Sequence, residues 1–321
     1  MAGPGVDASL VLGDGRVLEY WEGGDPAGRG VIFHPGTPVT RVLGRWAHDA
    51  AVAAGVRLVS LSRPGYGGST MTADAAPSLR AVGEDTAALA VHLRLDGYAV
   101  VGSSGGAPFA VATGVADPGA VRAVGVVGGI GPWRLLEPPS ANVDDRACLD
   151  LLDAGDVAGA WACMYRTAED QLAGVALDDA VDVILSGDES SLVVDRAYRA
   201  IWADNMRLVL DDLAGYTLDN LAWGATWDVD PREIVAPTLL WYGAADVHCP
   251  VAHGRWYADR IARAELIVAP TVDTSTSSTR IGPRCWPVSS ARRAGDADVG
   301  LDQPQAATRS GYGLIAPSIW L

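Results

Sequence analysis

The chain has 321 residues, of which 49% are hydrophobic and 20% are charged, and its formal net charge is −15 at pH 7. This length and composition predict a globular protein with one large core, or with one core that carries an insertion. Nucleic acids and anionic membranes attract positive fields, so the negative charge excludes both as expected partners.

Short apolar strands alternate with helices along the first part of the chain. Strands are predicted at Leu10–Leu12, Val17–Trp21, Val31–Phe33, Val56–Leu61, Tyr98–Val101 and Val121–Val127. Helical spacing is found at Arg45–Ala54, Leu79–Leu95 and Ala107–Val115. Alternation of this kind is typical of an α/β fold, with a mostly parallel, twisted sheet and helices on both faces.

From Trp133 to about Trp227 the pattern is wholly helical. The predicted helices are Asp144–Leu152, Val157–Ala173, Ala176–Leu185 and Ser191–Leu213. The alternation then resumes with a strand, a helix and a strand at Thr238–Tyr242, Val251–Ala262 and Glu265–Val268. We therefore predict a core made of residues 1–132 and 228–270, with an inserted all-helical domain at 133–227.

The character of the sequence changes after Pro270. Seven of residues 271–280 are Ser or Thr, and no clear period appears through Leu321. This composition predicts an atypical, irregular C-terminal segment at 271–321. A docked terminal helix is the alternative.

The segment Gly102-Ser103-Ser104-Gly105-Gly106 lies directly between a predicted strand and a predicted helix. It fits the pattern G-x-S-x-G in one register only, with Ser104 at the centre and Gly102 and Gly106 as the elbow glycines. A nucleophile on such a turn has a strained backbone, and side chains two residues away on either side would collide. The segment predicts a serine nucleophile, and a plain glycine-rich turn is the alternative.

Acyl transfer at this serine needs two hydrogen-bond donors aimed at the tetrahedral oxygen. The backbone N–H of Gly105 is one candidate. The loop His34–Pro38 follows an earlier strand, and Thr37 N–H is the second candidate because Gly36 lets the chain approach closely. We interpret His34 as a loop histidine that hydrogen-bonds the backbone.

An acidic partner for the serine is predicted at Asp246. This residue follows the strand Thr238–Tyr242, at a carboxyl end of the sheet, where sites in such folds cluster. An Asp in a loop is often only a turn former. The order Ser104 then Asp246, with a strand ahead of each, favours a catalytic acid.

Together these residues resemble the α/β-hydrolase superfamily, specifically its proline-iminopeptidase-like and esterase-like serine hydrolases with a helical cap. The resemblance covers Val11 to about Pro270. It rests on His34–Pro38, Arg63–Ser69, Gly102–Gly106, Gly128–Trp133 and Leu239–Pro250. It implies an α/β-hydrolase fold, a cap formed by residues 133–227 over the pocket, and no cofactor. Three cap tryptophans could line an apolar substrate pocket, with core packing as the alternative for each: Trp133, Trp202 and Trp223.

The resemblance also implies a general base, a His in a Gly-x-Gly-His-Leu-like loop after the strand Glu265–Val268. Here residues 269–274 read APTVDT, and no His occurs after His253. Without an imidazole, a serine hydroxyl is a weak nucleophile near neutral pH. His248 and His253 are close to Asp246 in sequence. The resemblance, however, places His248 in the same loop as Asp246 (the acid loop) and His253 at the start of the next helix. Both are therefore weak candidates, and the base is unknown.

A frameshift would explain the missing histidine. All 24 basic residues are Arg, which suggests a GC-rich coding sequence. With codons ending mainly in G or C, Pro270–Ser278 read one base earlier permits Asp-Gly-Gly-His-Leu-Asp-Leu-Val. The third base of the Asp273 codon and the first two of the Thr274 codon then encode the His. Our hypothesis is that a frameshift produced residues 271–321 in place of the last loop and helix.

The sequence thus predicts a hydrolase that cleaves a small ester, amide or N-terminal peptide bond through an acyl-enzyme at Ser104, impaired by the absent histidine. The rival hypothesis is a pseudoenzyme that binds a small apolar ligand in the capped pocket. A third interpretation, a cofactor-independent haloperoxidase or carbon–carbon hydrolase on the same scaffold, differs only in the contents of the pocket. The expected partner is a small-molecule substrate, and the oligomeric state stays open.

Compartment and metal content are predicted from other features of the sequence. Met1–Leu10 lacks the features of a signal peptide, and no uncharged stretch reaches transmembrane length. The four cysteines lack the spacing of a zinc site. These features predict a cytoplasmic protein with free thiols and no metal ion.

Overall fold

A computed structural model describes residues 5–71, 76–136, 143–172, 176–185 and 195–270, and these contain one sheet of eight strands. The strands are β1 (Val6–Val11), β2 (Val17–Gly24), β3 (Arg29–His34), β4 (Val56–Leu61), β5 (Tyr98–Ser103), β6 (Val121–Val127), β7 (Thr238–Gly243) and β8 (Ala264–Ala269). Their order across the sheet is β1-β2-β4-β3-β5-β6-β7-β8. The β1–β2 and β2–β4 pairs are antiparallel and the other pairs are parallel, which confirms the predicted mostly parallel sheet.

Helices connect the parallel strands and fill the region between β6 and β7. They are α1 (His48–Ala53), α2 (Leu79–His92), α3 (Ala107–Ala116), α4 (Val143–Asp153), α5 (Val157–Leu172), α6 (Leu177–Leu185), α7 (Arg196–Asp211), α8 (Ala214–Gly224) and α9 (Val251–Ala258). A 3-10 turn at Arg41–Ala47 precedes α1, where the sequence predicts one helix over Arg45–Ala54. Helices α4 to α8 all lie between β6 and β7.

Neighbouring residues of the central strands pack into two different cores, so helices cover both faces of the sheet. Ile32 and Val100 pack with side chains of α2 and α3. Val31 and Val101, one residue along each strand, pack with side chains of α1 and α7. Strand β5 is buried along its whole length, which explains its continuous apolar sequence.

The structure corrects three predictions. The first strand begins at Val6 rather than Leu10, because its side chains are largely exposed and carry little apolar signal. The sequence predicts no helix between Leu213 and the next strand, yet α8 lies there. Cys148 of α4 and Cys163 of α5 form a disulfide, where free thiols are expected.

Some predictions concern residues outside the ranges that the structure describes. The predicted irregular segment 271–321 and the start of the predicted helix Ser191–Leu213 lie outside the described residues. Among the helices of the described residues, none has both the length and the apolar character needed to cross a bilayer.

Candidate active site

Ser104 lies at a sharp turn between β5 and α3. Its φ is +49°, in the left-handed region that costs a non-glycine residue about 1–3 kcal/mol. Ser104 begins a 3-10 turn that continues into α3, and it is partly exposed although its neighbours are buried. The turn therefore presents the Ser104 hydroxyl at the carboxyl edge of the sheet.

The two elbow glycines make this turn sterically feasible. A Cβ atom on Gly102 would lie 2.5 Å from the Gly106 carbonyl oxygen, and one on Gly106 would lie 2.2 Å from the His34 carbonyl oxygen. Both contacts are with backbone atoms, which cannot rotate away. The spacing G-x-S-x-G is therefore explained by crowding, as predicted.

The loop after β3 lies directly against the elbow. A Cβ atom on Gly36 would lie 3.3 Å from Ser104 Cβ. A Cβ atom on Gly105 would lie 3.3 Å from the Thr37 backbone nitrogen and 2.5 Å from Thr37 Oγ1. The structure thus brings together the two peptide units whose N–H groups are the predicted oxyanion donors, with Ser104 beside them.

The loop after β7 reaches the same edge of the sheet and contains Asp246. This residue is 5% exposed, and its Oδ1 accepts the backbone N–H groups of His248 at 2.9 Å and Cys249 at 2.7 Å. The Cys249 thiol interacts with the Ser104 side chain, which acts to lower the pKa of the thiol. Burial and the nearby Asp246 charge raise the pKa of the Cys249 thiol, so it stays protonated. Through Cys249 the acid loop contacts the predicted nucleophile.

A buried ion pair behind the loop His34–Pro38 was not found from the sequence. Arg63 follows β4 and Asp219 lies on α8, and their side chains are 1% and 2% exposed. Burial acts to lower the pKa of Arg63, but the charge and hydrogen bonds of Asp219, together with Tyr66, outweigh it, so the pKa is raised and the guanidinium stays charged. The Tyr66 hydroxyl donates to Asp219 Oδ2 at 2.9 Å. The position of Arg63 just after a buried strand is a signal that the sequence contains, whereas Asp219 lies on α8, a helix that the sequence pattern does not predict.

His34 has a structural environment. It is fully buried at the end of β3 and stacks on Phe109, with ring centroids 6.3 Å apart. Its Nε2 lies 3.1 Å from the Thr113 hydroxyl and 3.4 Å from the Thr86 hydroxyl. Burial, with a contribution from the Arg63 charge, holds the pKa of His34 well below its usual range. The hydrogen-bond partners of the His34 ring are therefore side chains, so the predicted hydrogen bond to the backbone is wrong.

The two weak candidates for the general base have different surroundings. His248 is exposed in the acid loop, next to Asp246. His253 is 1% exposed on α9, and its Nδ1 accepts the Gly131 backbone N–H at 2.6 Å. Burial lowers the pKa of His253 to about 4, although the Leu136 backbone opposes this shift.

The depressed pKa of His253 predicts a loss of stability in mild acid. Between pH 4 and 6.5 the unfolded chain binds a proton at this site that the folded chain does not, so folding becomes less favourable as the pH falls. We expect His253 to account for about 2 kcal/mol of the stability lost between pH 7 and pH 5. Urea unfolding at both pH values, for the chain and for His253→Asn, measures this contribution. Asn keeps an acceptor for Gly131 N–H, and an equal pH-dependent loss in both proteins would contradict the prediction.

The three tryptophans proposed to line the pocket are mostly buried among apolar side chains. Trp202 is 1% exposed and lies in the core that contains α1 and α7. Trp133 is 4% exposed and belongs to the core on the other face of the sheet. Trp223 is partly buried on α8 and packs against the same core as Trp133. These environments account for all three residues by packing, so their contact with a substrate stays a prediction.

Metal ligands do not cluster in the part of the chain that the structure describes: His, Cys, Asp and Glu side chains there form no group that could hold an ion. The functional groups gathered around Ser104 are instead backbone amides, hydroxyls, a thiol and the Asp246 carboxylate. This set suits nucleophilic attack and stabilisation of an oxyanion.

Comparisons with known proteins find likeness in structure only. No protein-family model matches the chain, and no curated protein is similar to it in sequence. An alpha/beta hydrolase fold protein from Nakamurella multipartita is 21% identical, with a TM-score of 0.56 over 83% of this chain and 90% of that chain. An enol-lactonase from Burkholderia xenovorans is 17% identical, with a TM-score of 0.58 over 82% and 91%. A thermophilic esterase from Thermogutta terrifontis is 15% identical, with a TM-score of 0.58 over 84% and 91%. This likeness confirms the fold that the sequence resemblance implies.

Proposed function

We propose that this chain, which has the α/β-hydrolase fold, descends from a serine hydrolase that cleaves a small ester, amide or N-terminal peptide bond. The proposal rests on one observation, the backbone conformation of Ser104. Its φ is +49°, and the turn places a partly exposed hydroxyl between a strand and a helix. Strain of this kind persists only where the surrounding structure imposes it, and it is concentrated at functional sites. The names of two structural neighbours, an esterase and an enol-lactonase, favour an ester bond.

The reaction we infer begins with attack of Ser104 Oγ on the carbonyl carbon of the substrate. The carbonyl oxygen gains negative charge, and the backbone N–H groups of Thr37 and Gly105 stabilise it. The tetrahedral intermediate then expels the alcohol or amine and leaves an acyl group on Ser104, which water removes. Asp246 would orient an imidazole that accepts the serine proton and returns it to the leaving group.

This chain has no histidine at the position where the resemblance places the imidazole. Strand β8 ends at Ala269, and the family loop would follow it. We infer that a frameshift replaced this loop and the final helix, and that the chain is consequently impaired. Helices α4 to α8 form the cap in this proposal, over a pocket that includes Trp133 and Trp223.

The main alternative is a pseudoenzyme that binds a small apolar ligand without chemistry. The surroundings of the two nearby histidines favour it. His253 is committed to the Gly131 backbone N–H, and His248 is exposed to solvent.

Acetylation by p-nitrophenyl acetate separates the two functions. We expect release of p-nitrophenolate and one added acetyl group on the peptide that contains Ser104, both slow because the base is absent and both lost in Ser104→Ala. Ser103→Ala is the matched control, because the Ser103 side chain is buried and its loss should leave this acetylation unchanged. Equal rates for the chain and for Ser104→Ala would favour the pseudoenzyme.

A further inference from the structure

The buried pair of Arg63 and Asp219 connects α8 to the loop that carries Thr37. Arg63 Nε donates to Asp219 Oδ1 at 2.8 Å, and Arg63 Nη2 donates to Asp219 Oδ2 at 2.5 Å. This two-point contact fixes the guanidinium plane relative to the carboxylate. Tyr66 adds a third donor to the same carboxylate. The arrangement holds α8 and the segment after β4 in one relative position.

The other edge of the Arg63 guanidinium binds two carbonyl groups of the loop. Nη1 donates to the Pro35 oxygen at 2.5 Å, and Nη2 donates to the Gly36 oxygen at 2.9 Å. The Gly36 carbonyl and the Thr37 N–H belong to one planar peptide unit, in which they point in opposite directions. Because Arg63 holds the Gly36 carbonyl, it also sets the direction of the Thr37 N–H.

Asp219 holds the same peptide unit from its other end. The Thr37 hydroxyl donates to Asp219 Oδ2 at 2.6 Å. Thr37 is therefore fixed twice, through its side chain by Asp219 and through the preceding carbonyl by Arg63. The unit that is fixed in this way lies against Gly105, beside Ser104.

We propose that Asp219 is a positioning residue for the oxyanion hole, acting through the Thr37 hydroxyl and through Arg63. The carboxylate on α8 keeps the Thr37 N–H aimed at the oxyanion, so the helical segment between β6 and β7 sets the geometry of catalysis. This inference rests on the proposed function, since it assigns the Thr37 amide to the oxyanion. A purely structural ion pair would instead stabilise the fold without affecting the reaction at Ser104.

Thr37→Val is the sharpest test, because it removes the hydroxyl and leaves the ion pair and the backbone N–H in place. We expect the maximal rate of Ser104 acetylation by p-nitrophenyl acetate to fall about tenfold to a hundredfold, because a misplaced catalytic group costs this much. The KM and the melting temperature should change little. Thr37→Ser restores the hydroxyl and should recover most of the lost rate.

Asp219→Asn tests the carboxylate itself. An amide cannot accept from all the donors that surround Asp219, so this variant should lose at least as much rate as Thr37→Val. The matched control is Asp211→Asn, an exposed carboxylate at the end of α7, which should leave the rate unchanged. If Asp219→Asn fails to fold, the acetylation rate of Thr37→Val alone tests the positioning role.

Hydrogen exchange of residues 34–39 gives a second readout that needs no reaction. We expect faster exchange in Thr37→Val and Asp219→Asn, and exchange like that of the unmodified chain in Thr37→Ser and Asp211→Asn. Unchanged exchange in Thr37→Val, or an unchanged acetylation rate, would overturn the positioning role. If the unmodified chain reacts no faster than Ser104→Ala, the proposed function fails, and exchange alone then decides whether Asp219 holds the loop.

Discussion

A gene read one base earlier from the codon of Pro270 should give a protein that hydrolyses esters at Ser104 about 10⁴-fold faster than the present chain, or more. The shifted frame permits a loop containing Gly-Gly-His-Leu directly after β8. The position of β8 supports this expectation. The Ala244 backbone N–H donates to the Ala269 oxygen at 2.9 Å, so the chain leaves the sheet beside the loop that carries Asp246. A histidine placed there would lie near both the acid and the nucleophile.

Steady-state hydrolysis of p-nitrophenyl acetate by the two full-length proteins measures the gain. The controls are the shifted gene with alanine at its new histidine and the shifted gene with Ser104→Ala, and both should lose the gain. A shifted protein that folds but is no faster than the present chain would contradict the hypothesis. Codons around Pro270 that cannot encode this loop would contradict it independently of any assay.

The sheet and the elbow could be predicted because their signals are local. The strands of a parallel sheet that is covered on both faces are continuous apolar runs, and β5 is such a run. The elbow is marked within five residues by the glycines on either side of Ser104. The position of Asp246 could be predicted for a related reason, since parallel strands bring their carboxyl ends to one edge of the sheet, whereas its role as a catalytic acid stays a prediction.

Helix α8 could not be predicted because its buried positions include polar residues. Thr217, Asp219 and Asn220 are all buried there, so the hydrophobic period that marks an amphipathic helix is interrupted. Gly215 and Gly224 also weaken the helical signal. The pairing of Asp219 with Arg63 spans 156 residues and depends on packing that no local pattern reports.

Gly106→Ala should destabilise the protein by about 3 kcal/mol or more, the upper end of the usual cost of overpacking. Gly106 has φ −80° and ψ −17°, a conformation that alanine adopts freely, so backbone strain is not the reason. The cost comes from the new Cβ atom, which would lie 2.2 Å from the His34 oxygen and 2.4 Å from the Pro35 oxygen.

Relief of this contact must move either the elbow or the loop that carries Thr37, because both neighbours of the new Cβ atom are backbone atoms. We therefore expect Gly106→Ala to abolish acetylation at Ser104 even where the protein remains folded. Urea unfolding measures the loss of stability, and the rate of acetylation by p-nitrophenyl acetate measures the loss of reactivity. The matched control is Gly119→Ala, an exposed turn position where a Cβ atom meets nothing within 4 Å. We expect that control to change stability by less than about 0.5 kcal/mol. A Gly106→Ala protein as stable and as reactive as the Gly119→Ala control would show that the turn is not packed as described, and the serine would lose its assignment as a nucleophile.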